Sequence, residues 1–260
     1  MKLKYSDWCY LSSKSIILTD KFPKLEHYKS YLSVSPKIFI EQIKKDNDIV
    51  DETTNFEEVL KKDWENTLSF FEKKVPLKSI IEYFEIERNY YKVVNGLPDE
   101  KRLSFLKDKF ENEIKLFKYS PFLVDFIKIE VDFHNIESFL KHKYFETKFF
   151  FIPNGYFLYS KFKNFEKETT ENFIEFINLK YKNFIEKELL EFLTFFDKKK
   201  DEYTIKILKE SKFFVFGPEI AFSYLKLKDF HNTNLNIIYN GLIYNQSSDS
   251  IIRRLRLING

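Results

Sequence analysis

The chain has 260 residues, of which 43% are hydrophobic and 32% are charged, so it can bury a large core and is neither disordered nor a membrane span. It contains only 5 glycines and 7 prolines, where average usage would give roughly 30 together, and this scarcity disfavours β-sandwiches, propellers and glycine-rich phosphate loops. The net charge of +3 lacks the basic excess of nucleic-acid-binding proteins, so no nucleic acid is expected among the partners.

Signals for the starts and ends of helices recur through the first half of the chain. Ser and Asn are good N-cap residues, Pro suits the first helical position, and Asn-Gly is a common end. These rules predict helices from Ser35-Pro36, from Asn55 to about Lys74, from Pro76 to Asn95-Gly96, from Pro98-Asp99, and from Pro121 to about Tyr144. On the helix from Pro76, apolar residues share one face at helical spacing: Leu77, Ile80, Phe84, Tyr91 and Val94.

The second half follows a loop at Pro153-Asn154-Gly155. The longest helical pattern begins at Thr170-Glu171, continues through apolar residues to Phe196, and is expected to break at Asp197–Asp201. Further signals predict a short helix ending near Ser211, a helix from Gly217-Pro218 to about Tyr239 closed by Asn240-Gly241, and a last helix from Ser248-Asp249 through Leu257. The apolar run Phe213–Phe216 is too isolated to build a sheet. The fold class expected is all-α, with roughly ten helices.

Motifs for catalysis or metal binding are missing from the sequence. The single cysteine, Cys9, cannot form an internal disulfide, which suits a reducing compartment. The histidines have no metal-ligand spacing, and no phosphate-loop or nucleophile motif occurs; they are His27, His134, His142 and His231. Neither a signal-peptide core nor a membrane-spanning apolar run is present. We therefore expect a soluble, cytoplasmic, non-catalytic protein without cofactor, metal or small-molecule substrate.

A weak internal repeat places asparagine inside three predicted helices. The word Asp-Phe-His-Asn occurs at Asp132–Asn135 and again at Asp229–Asn232. A looser pattern, in which an acidic residue precedes Asn and apolar residues follow it, surrounds Asn89, Asn135, and either Asn232 or Asn234. Because Asn is a poor residue inside a helix, the pattern suggests buried hydrogen bonds at equivalent positions. The alternative is three unrelated surface asparagines.

Two regions of the chain resemble a known family. The first runs from Gly217-Pro218-Glu219 through Tyr224–Asp229, Asn234–Ile238 and Gly241 to Ile252–Leu255. It is similar to the C-terminal end of the C subunit of V/A-type rotary ATPases, whose eukaryotic counterpart is the d subunit. The second, Ile129–Lys143, resembles an earlier helix of that family, and Phe151–Tyr156 stands where the family has a Pro-Gly-Gly turn.

The sequence departs from the family pattern at several positions. His231 stands where the family commonly has Glu, Thr233 where it has Arg, and Asn236 where it has a basic residue. The first repeat is fainter, since Glu85 lies one residue too far from Asn89. These departures affect individual polar contacts more than the fold.

The resemblance implies three similar helical bundles arranged as a pseudo-threefold funnel. The expected subdomains are residues 1–97, completed by the C-terminal helices, then 98–165 and 166–260. The family member is a non-catalytic part of the central stalk, peripheral on the inner face of the membrane. Its expected partners are the proteolipid ring and the D and F subunits of the shaft, between which it transmits torque.

Three arginines in the last predicted helix are candidate partner contacts: Arg253, Arg254 and Arg256. Their alternative interpretation is ordinary basic residues favoured by the dipole at the end of a helix. Two other functions stay open for the whole chain. One is a helical scaffold or nucleic-acid-binding protein, and the other is an all-α hydrolase whose carboxylates come from distant positions.

Overall fold

A computed structural model describes residues 5–50, 53, 55–72, 78–94, 96–182, 184–185, 189–214 and 216–259. These residues form thirteen α-helices: α1 Tyr5–Asp20, α2 Leu25–Ser30, α3 Pro36–Asp46, α4 Phe56–Glu72, α5 Lys78–Val94, α6 Asp99–Leu116, α7 Pro121–Phe145, α8 Tyr159–Phe165, α9 Thr170–Tyr181, α10 Leu189–Thr194, α11 Phe196–Glu210, α12 Pro218–Ile243 and α13 Ser248–Arg254. Within the described ranges there is no β-strand, and one isolated parallel bridge joins Lys24 to Asn259. The predicted all-α class is confirmed.

Several predicted helix starts are confirmed by the capping hydrogen bonds that the side chains make. Ser35 caps α3 by accepting from the N–H of Ile38. Asn55 caps α4, since its Oδ1 accepts from the N–H of Glu57 at 2.9 Å. The predicted end at Lys74 and the predicted start at Pro76 lie outside the described residues. Three of the apolar residues expected to share one face of α5 are buried: Ile80, Phe84 and Val94.

The long pattern after Thr170 is not one helix, and this expectation was wrong. α9 ends at Tyr181 because Lys182 adopts a left-handed backbone with φ 43°. Asn178 fixes the turn that follows, since its side chain donates to the carbonyl of Ile185 at 2.9 Å and accepts from its N–H at 2.8 Å. The charged run Asp197–Asp201 is no break either, because it forms the first turns of α11.

The ends of the last two helices also differ from expectation. α12 continues past Gly241 to Ile243. Gly241 does not end the helix. It allows Ile251 to pack closely against α12, because a Cβ at position 241 would lie 2.4 Å from Cδ1 of Ile251. α13 ends at Arg254, before the predicted end at Leu257, so Arg256 lies beyond the last helix.

By its contacts the chain divides into two compact units. Unit 1 joins Met1–Ile81 to Ile205–Gly260, and unit 2 is Glu82–Thr204, so the boundaries fall inside α5 and α11. The core of unit 1 gathers residues of α2, α3, α4, α12 and α13 around buried aromatic and aliphatic side chains. The core of unit 2 joins α7, α8, α9, α10 and the start of α11, largely through phenylalanine rings. The three subdomains and their funnel arrangement stay predictions.

α12 is the central helix of unit 1. Helices α1, α3 and α13 pack against it. It begins after Gly217, whose N–H donates to Oγ of Ser12 on α1 at 3.3 Å. Even charged residues of α12 are buried, and Lys228 is held by an ion pair of 2.7 Å with Asp63 and a hydrogen bond of 3.2 Å to Asn47.

Candidate functional site

Three polar side chains on one face of α7 hold the loop that follows it. They are Asp132, Asn135 and Ser138, whose three-residue spacing keeps them on one side of a helix. Nδ2 of Asn135 donates to the carbonyl of Ile152 at 2.8 Å, and its Oδ1 accepts from the N–H of Ile152 at 2.7 Å. Oγ of Ser138 accepts from the N–H of Phe150 at 3.0 Å. The pair of hydrogen bonds made by Asn135, here named an asparagine clamp, satisfies both backbone groups of one buried loop residue.

Asp132 extends this polar face to the far end of the loop. Its Oδ1 accepts from the N–H of Phe157 at 3.1 Å, and its Oδ2 accepts from the hydroxyl of Tyr181 on α9. Burial raises the pKa of Asp132 to about 6, although these hydrogen bonds oppose the shift. Gly155 allows the approach, because a Cβ there would lie 2.1 Å from Oδ1 of Asp132. The Pro-Asn-Gly turn is thus shaped around a buried carboxyl group.

α12 carries a second asparagine clamp. Nδ2 of Asn234 donates to the carbonyl of Arg256 at 2.9 Å, and its Oδ1 accepts from the N–H of Arg256 at 2.8 Å. The segment after α13 is held further along by Asn259, whose Nδ2 donates to the carbonyls of Thr19 at 3.2 Å and Phe22 at 2.7 Å. This captured backbone is the physical reason that the last helix stops short of its predicted end.

His231, three residues before Asn234, occupies the place that Asp132 has on α7. Its Nδ1 lies 2.6 Å from the hydroxyl of Tyr28 on α2. Burial lowers the pKa of His231 well below its usual range, and the nearby Lys228 lowers it further. The imidazole is therefore neutral at physiological pH, and it shares one hydrogen bond with the tyrosine.

α7 and α12 thus have the same local design in their own units. In each helix a buried Asn clamps one residue of a following segment, and the residue three positions earlier bonds to a tyrosine hydroxyl. The correspondence pairs Asn135 with Asn234 and Asp132 with His231. It is out of register with the shared word Asp-Phe-His-Asn, which would have paired Asn135 with Asn232. Of the two candidates left open by the sequence, Asn234 is the one in the clamp.

The third predicted position differs from these two. The side chain of Asn89 is exposed on α5, and so is that of Glu85. The expectation of a buried hydrogen bond therefore does not hold at Asn89. The equivalence fails because the exposed face of α5 carries Asn89, while its buried face carries Ile80 and Phe84.

The three predicted arginines lie at the end of unit 1. Arg253 and Arg254 are exposed in the last turn of α13, and Arg256 is half-buried in the segment beyond it. The guanidinium of Arg254 donates to Oε1 of Gln246 at 3.3 Å, and that of Arg256 donates to the carbonyl of Arg254 at 3.0 Å. The expectation that all three share the last helix was wrong for Arg256, whose backbone Asn234 holds.

Unit 2 also contains a buried charge cluster that no sequence pattern predicted. The ammonium of Lys109 on α6 contacts the carboxylate of Glu87 on α5 and lies 3.1 Å from Oε1 of Glu113. Burial opposes the charge on Lys109, but the two carboxylates outweigh it and raise its pKa. Burial raises the pKa of Glu113 to about 8. Glutamates and lysines at helical spacing are usually a solvated face, so spacing alone could not reveal this cluster.

Asp132 and Glu113, the two buried carboxyl groups with a raised pKa, do not line either of two grooves in the described part of the chain. A groove of about 250 Å³ in unit 1 and one of about 710 Å³ in unit 2 are lined by other residues, and neither Asp132 nor Glu113 contributes to them. In the part of the chain that the structure describes, no group of three or more His, Cys, Asp or Glu side chains could hold a metal ion. No helix of the described ranges is both long and apolar enough to cross a bilayer.

The tyrosines that complete the polar cores were missed from the sequence. Tyr28 and Tyr181 are two of 16 tyrosines and stand in no motif with their partners. One signal could have pointed to them. The residue three positions before each clamping Asn is polar, and a polar side chain that is buried needs a hydrogen-bond partner. Gly155 was predicted only as part of a turn, although its contact with Asp132 is what requires glycine.

Comparison with known proteins gives one family. The family model described as ATP synthase (C/AC39) subunit matches residues 52–254, a range that includes both clamping asparagines. A search of curated proteins found no match. The family match covers well over half of the sequence and reaches from α4 to α13. The chain therefore belongs to the ATP synthase C/AC39 subunit family.

Proposed function

We propose that this chain is the non-catalytic central-stalk subunit of a V/A-type ATPase. It would sit on the inner face of the membrane, between the proteolipid ring and the D and F subunits of the shaft. There it would transmit torque between ion transport and ATP hydrolysis or synthesis. The observation that carries the proposal is the family match over residues 52–254.

The interior of both units supports a mechanical role. A part that transmits torque must resist deformation, and densely packed interiors have low compressibility. In unit 2 the buried rings include Phe133 stacked on Phe184 at 4.4 Å and Phe139 against Phe173 at 4.5 Å. The asparagine clamps of α7 and α12 fix loop backbone to helices by paired hydrogen bonds, which adds directional restraint to the apolar packing.

The repeated design of α7 and α12 supports construction from related helical units. We extend this to the three subdomains expected from the sequence, residues 1–97, 98–165 and 166–260, arranged as a pseudo-threefold funnel. Because Asn89 is exposed, the first subdomain would have lost the clamp that the other two keep.

Two exposed arginines are proposed as partner contacts. Arg253 and Arg254 present their charge at the surface in the last turn of α13, where acidic groups of the shaft or the ring could pair with them. Arg256 is less suited to such a contact, because its side chain is half-buried.

Affinity purification from native membranes tests this function. The tagged chain, extracted in mild detergent, should recover the proteolipid ring and the D and F subunits of the shaft. The double variant Arg253→Glu with Arg254→Glu should recover less of one partner, because charge reversal at an interface introduces repulsion. A matched variant, Lys61→Glu with Lys115→Glu, changes two other exposed cations and should recover the complex normally.

Two results would contradict the proposal. Recovery of the chain alone from membranes that contain the assembled ATPase would exclude a place in its stalk. Recovery with ribosomes or nucleic acid, lost at high salt, would favour the alternative of a helical scaffold or nucleic-acid-binding protein.

A further inference from the structure

Three phenylalanine rings are exposed together just before α12. Phe213 is 76% exposed, Phe214 40% and Phe216 36%. Phe213 is the last residue of the short 3-10 turn Ser211–Phe213 that follows α11, and the other two rings come directly after it. Exposed large apolar side chains that cluster in this way mark interaction surfaces in soluble proteins.

Two lysines stand beside these rings. The ammonium of Lys212 lies 5.4 Å from the centre of the Phe213 ring. Burial lowers the pKa of Lys209, and the positive charge of the nearby Lys212 lowers it further. An anion bound between the two ammonium groups would reduce the electrostatic repulsion between them. We name Lys209, Lys212, Phe213, Phe214 and Phe216 the phenylalanine–lysine surface.

The two lysines also line a small groove of about 250 Å³ in unit 1. The lining also includes apolar side chains, among them Ile16, Leu208 and Leu227. Asp20 is the acidic residue in the lining, against the two cations. With two cations against one carboxylate, the lining of the groove has a net positive charge, which favours an anionic group.

We infer that the phenylalanine–lysine surface docks on an anionic lipid surface. The rings would enter the boundary between headgroups and acyl chains, and the ammonium groups would pair with lipid phosphates. Phenylalanine combined with lysine is the usual composition of segments that lie at a bilayer interface. The choice of a lipid partner rests on the proposed function, which brings the chain against the membrane face.

A protein partner fits these residues less well. The three rings together expose roughly 300 Å², whereas a stable protein interface buries about 800 Å² on each partner. Lysine is also depleted in protein interfaces relative to the rest of the surface. Both lysines can instead keep their charge at a bilayer while their alkyl chains lie along apolar groups.

Vesicle co-sedimentation of the purified full chain tests the inference. Vesicles of phosphatidylcholine with phosphatidylglycerol should bind the chain, and vesicles of phosphatidylcholine alone should bind it much more weakly. Phe213→Ser should weaken binding to the anionic vesicles by about tenfold. Lys209→Gln with Lys212→Gln should weaken it by about 30-fold, since each lysine near an anionic surface is worth about 1 kcal/mol.

Matched controls distinguish binding through this surface from non-specific binding to vesicles. Leu179→Ser removes an apolar side chain that is 86% exposed on α9 and should leave vesicle binding unchanged. Lys61→Gln with Lys115→Gln removes two other exposed cations and should cost much less than the pair at the surface. Unfolding in urea should be unchanged by Phe213→Ser, because its side chain is mostly exposed.

Other outcomes separate the lipid inference from the proposed function. Equal binding to both kinds of vesicle, or no effect of Phe213→Ser, would overturn the lipid inference. If the chain does not bind vesicles but Phe213→Ser reduces recovery of the ATPase from membranes, the surface docks on a protein and the proposed function stands. If vesicles bind as expected but no part of the ATPase is recovered, the lipid surface stands and the stalk role fails.

Discussion

The hydroxyl of Tyr181 donates to Oδ2 of Asp132 and so joins α9 to α7 across 49 residues of sequence. The pKa of the buried carboxyl rises from its ordinary 3.8 to about 6. A carboxyl group with a higher pKa in the folded chain binds its proton more tightly there. Its contribution to stability is therefore full below pH 3.8 and is lost as pH rises through the folded pKa.

Replacing Asp132 by Asn should remove this pH dependence. Asparagine is nearly isosteric and cannot ionise, so the free energy of unfolding of the wild type should fall relative to Asp132→Asn as pH rises from about 4 to about 7. The full pKa rise corresponds to about 3 kcal/mol, of which about 2 kcal/mol falls within that range. Urea denaturation at several pH values measures it, with Asp108→Asn, an exposed carboxyl on α6, as the control. A constant difference between wild type and Asp132→Asn would contradict the assignment.

The two asparagine clamps should each contribute strongly to stability. Asn135→Ala leaves the N–H and the carbonyl of Ile152 buried without partners, which should lower the free energy of unfolding by about 3 kcal/mol. Asn234→Ala should act in the same way through Arg256, by a smaller amount because that residue is half-buried. Asn89→Ala is the matched control, and its exposed position predicts a change within about 0.5 kcal/mol. A large loss in that control, or a small loss at Asn135, would show that the clamps are not what distinguishes these positions.

The sequence predicted helix starts with distinctive caps better than it predicted interruptions within a continuous apolar pattern. Ser35 and Asn55 were found because a cap depends on residues next to each other in the chain. The end of α9 at Lys182 depends instead on Asn178 reaching the backbone of Ile185, and the apolar periodicity continues across it. A periodic pattern reports which face is buried, and it contains little information about where the backbone turns.

The clamp positions were only partly predictable for a related reason. Asn inside a helix is unfavourable unless its side chain has a partner, so Asn135 and Asn234 could be singled out. Their partners could not be, because a clamp binds backbone atoms that every residue has. Asn89 showed the same local pattern but faces outward, and the literal repeat pointed to Asn232 because four matching letters carry no information about burial.

His231 predicts a pH dependence opposite to that of Asp132. Burial lowers its pKa well below 6.5, so the neutral ring is favoured in the folded chain. Its contribution to stability is present above the unfolded pKa and is lost as pH falls toward the folded pKa. Between about pH 7 and about pH 5 the wild type should lose stability relative to His231→Gln, which cannot gain the charge. His142→Gln is the control, since that side chain is more exposed, and an equal loss in both variants would place the titration elsewhere.

Gly241 and Ile251 offer a test of how α13 packs on α12. A methyl group on Gly241 would lie 2.4 Å from Cδ1 and 2.5 Å from Cγ1 of Ile251, which is 1% exposed. Gly241→Ala gains about 1 kcal/mol of helix propensity, but overpacking of a buried contact costs about 1–3 kcal/mol, so the free energy of unfolding should fall or stay level rather than rise.

The double variant decides between these effects. Ile251→Ala alone should cost about 3 kcal/mol by leaving a cavity, and Gly241→Ala added to it should be stabilising, because the clashing atoms are gone and the propensity gain remains. The interaction energy from such a cycle should then be about 2 kcal/mol. Additive effects would mean that the two side chains can move apart, and that glycine is not required for the contact between α12 and α13.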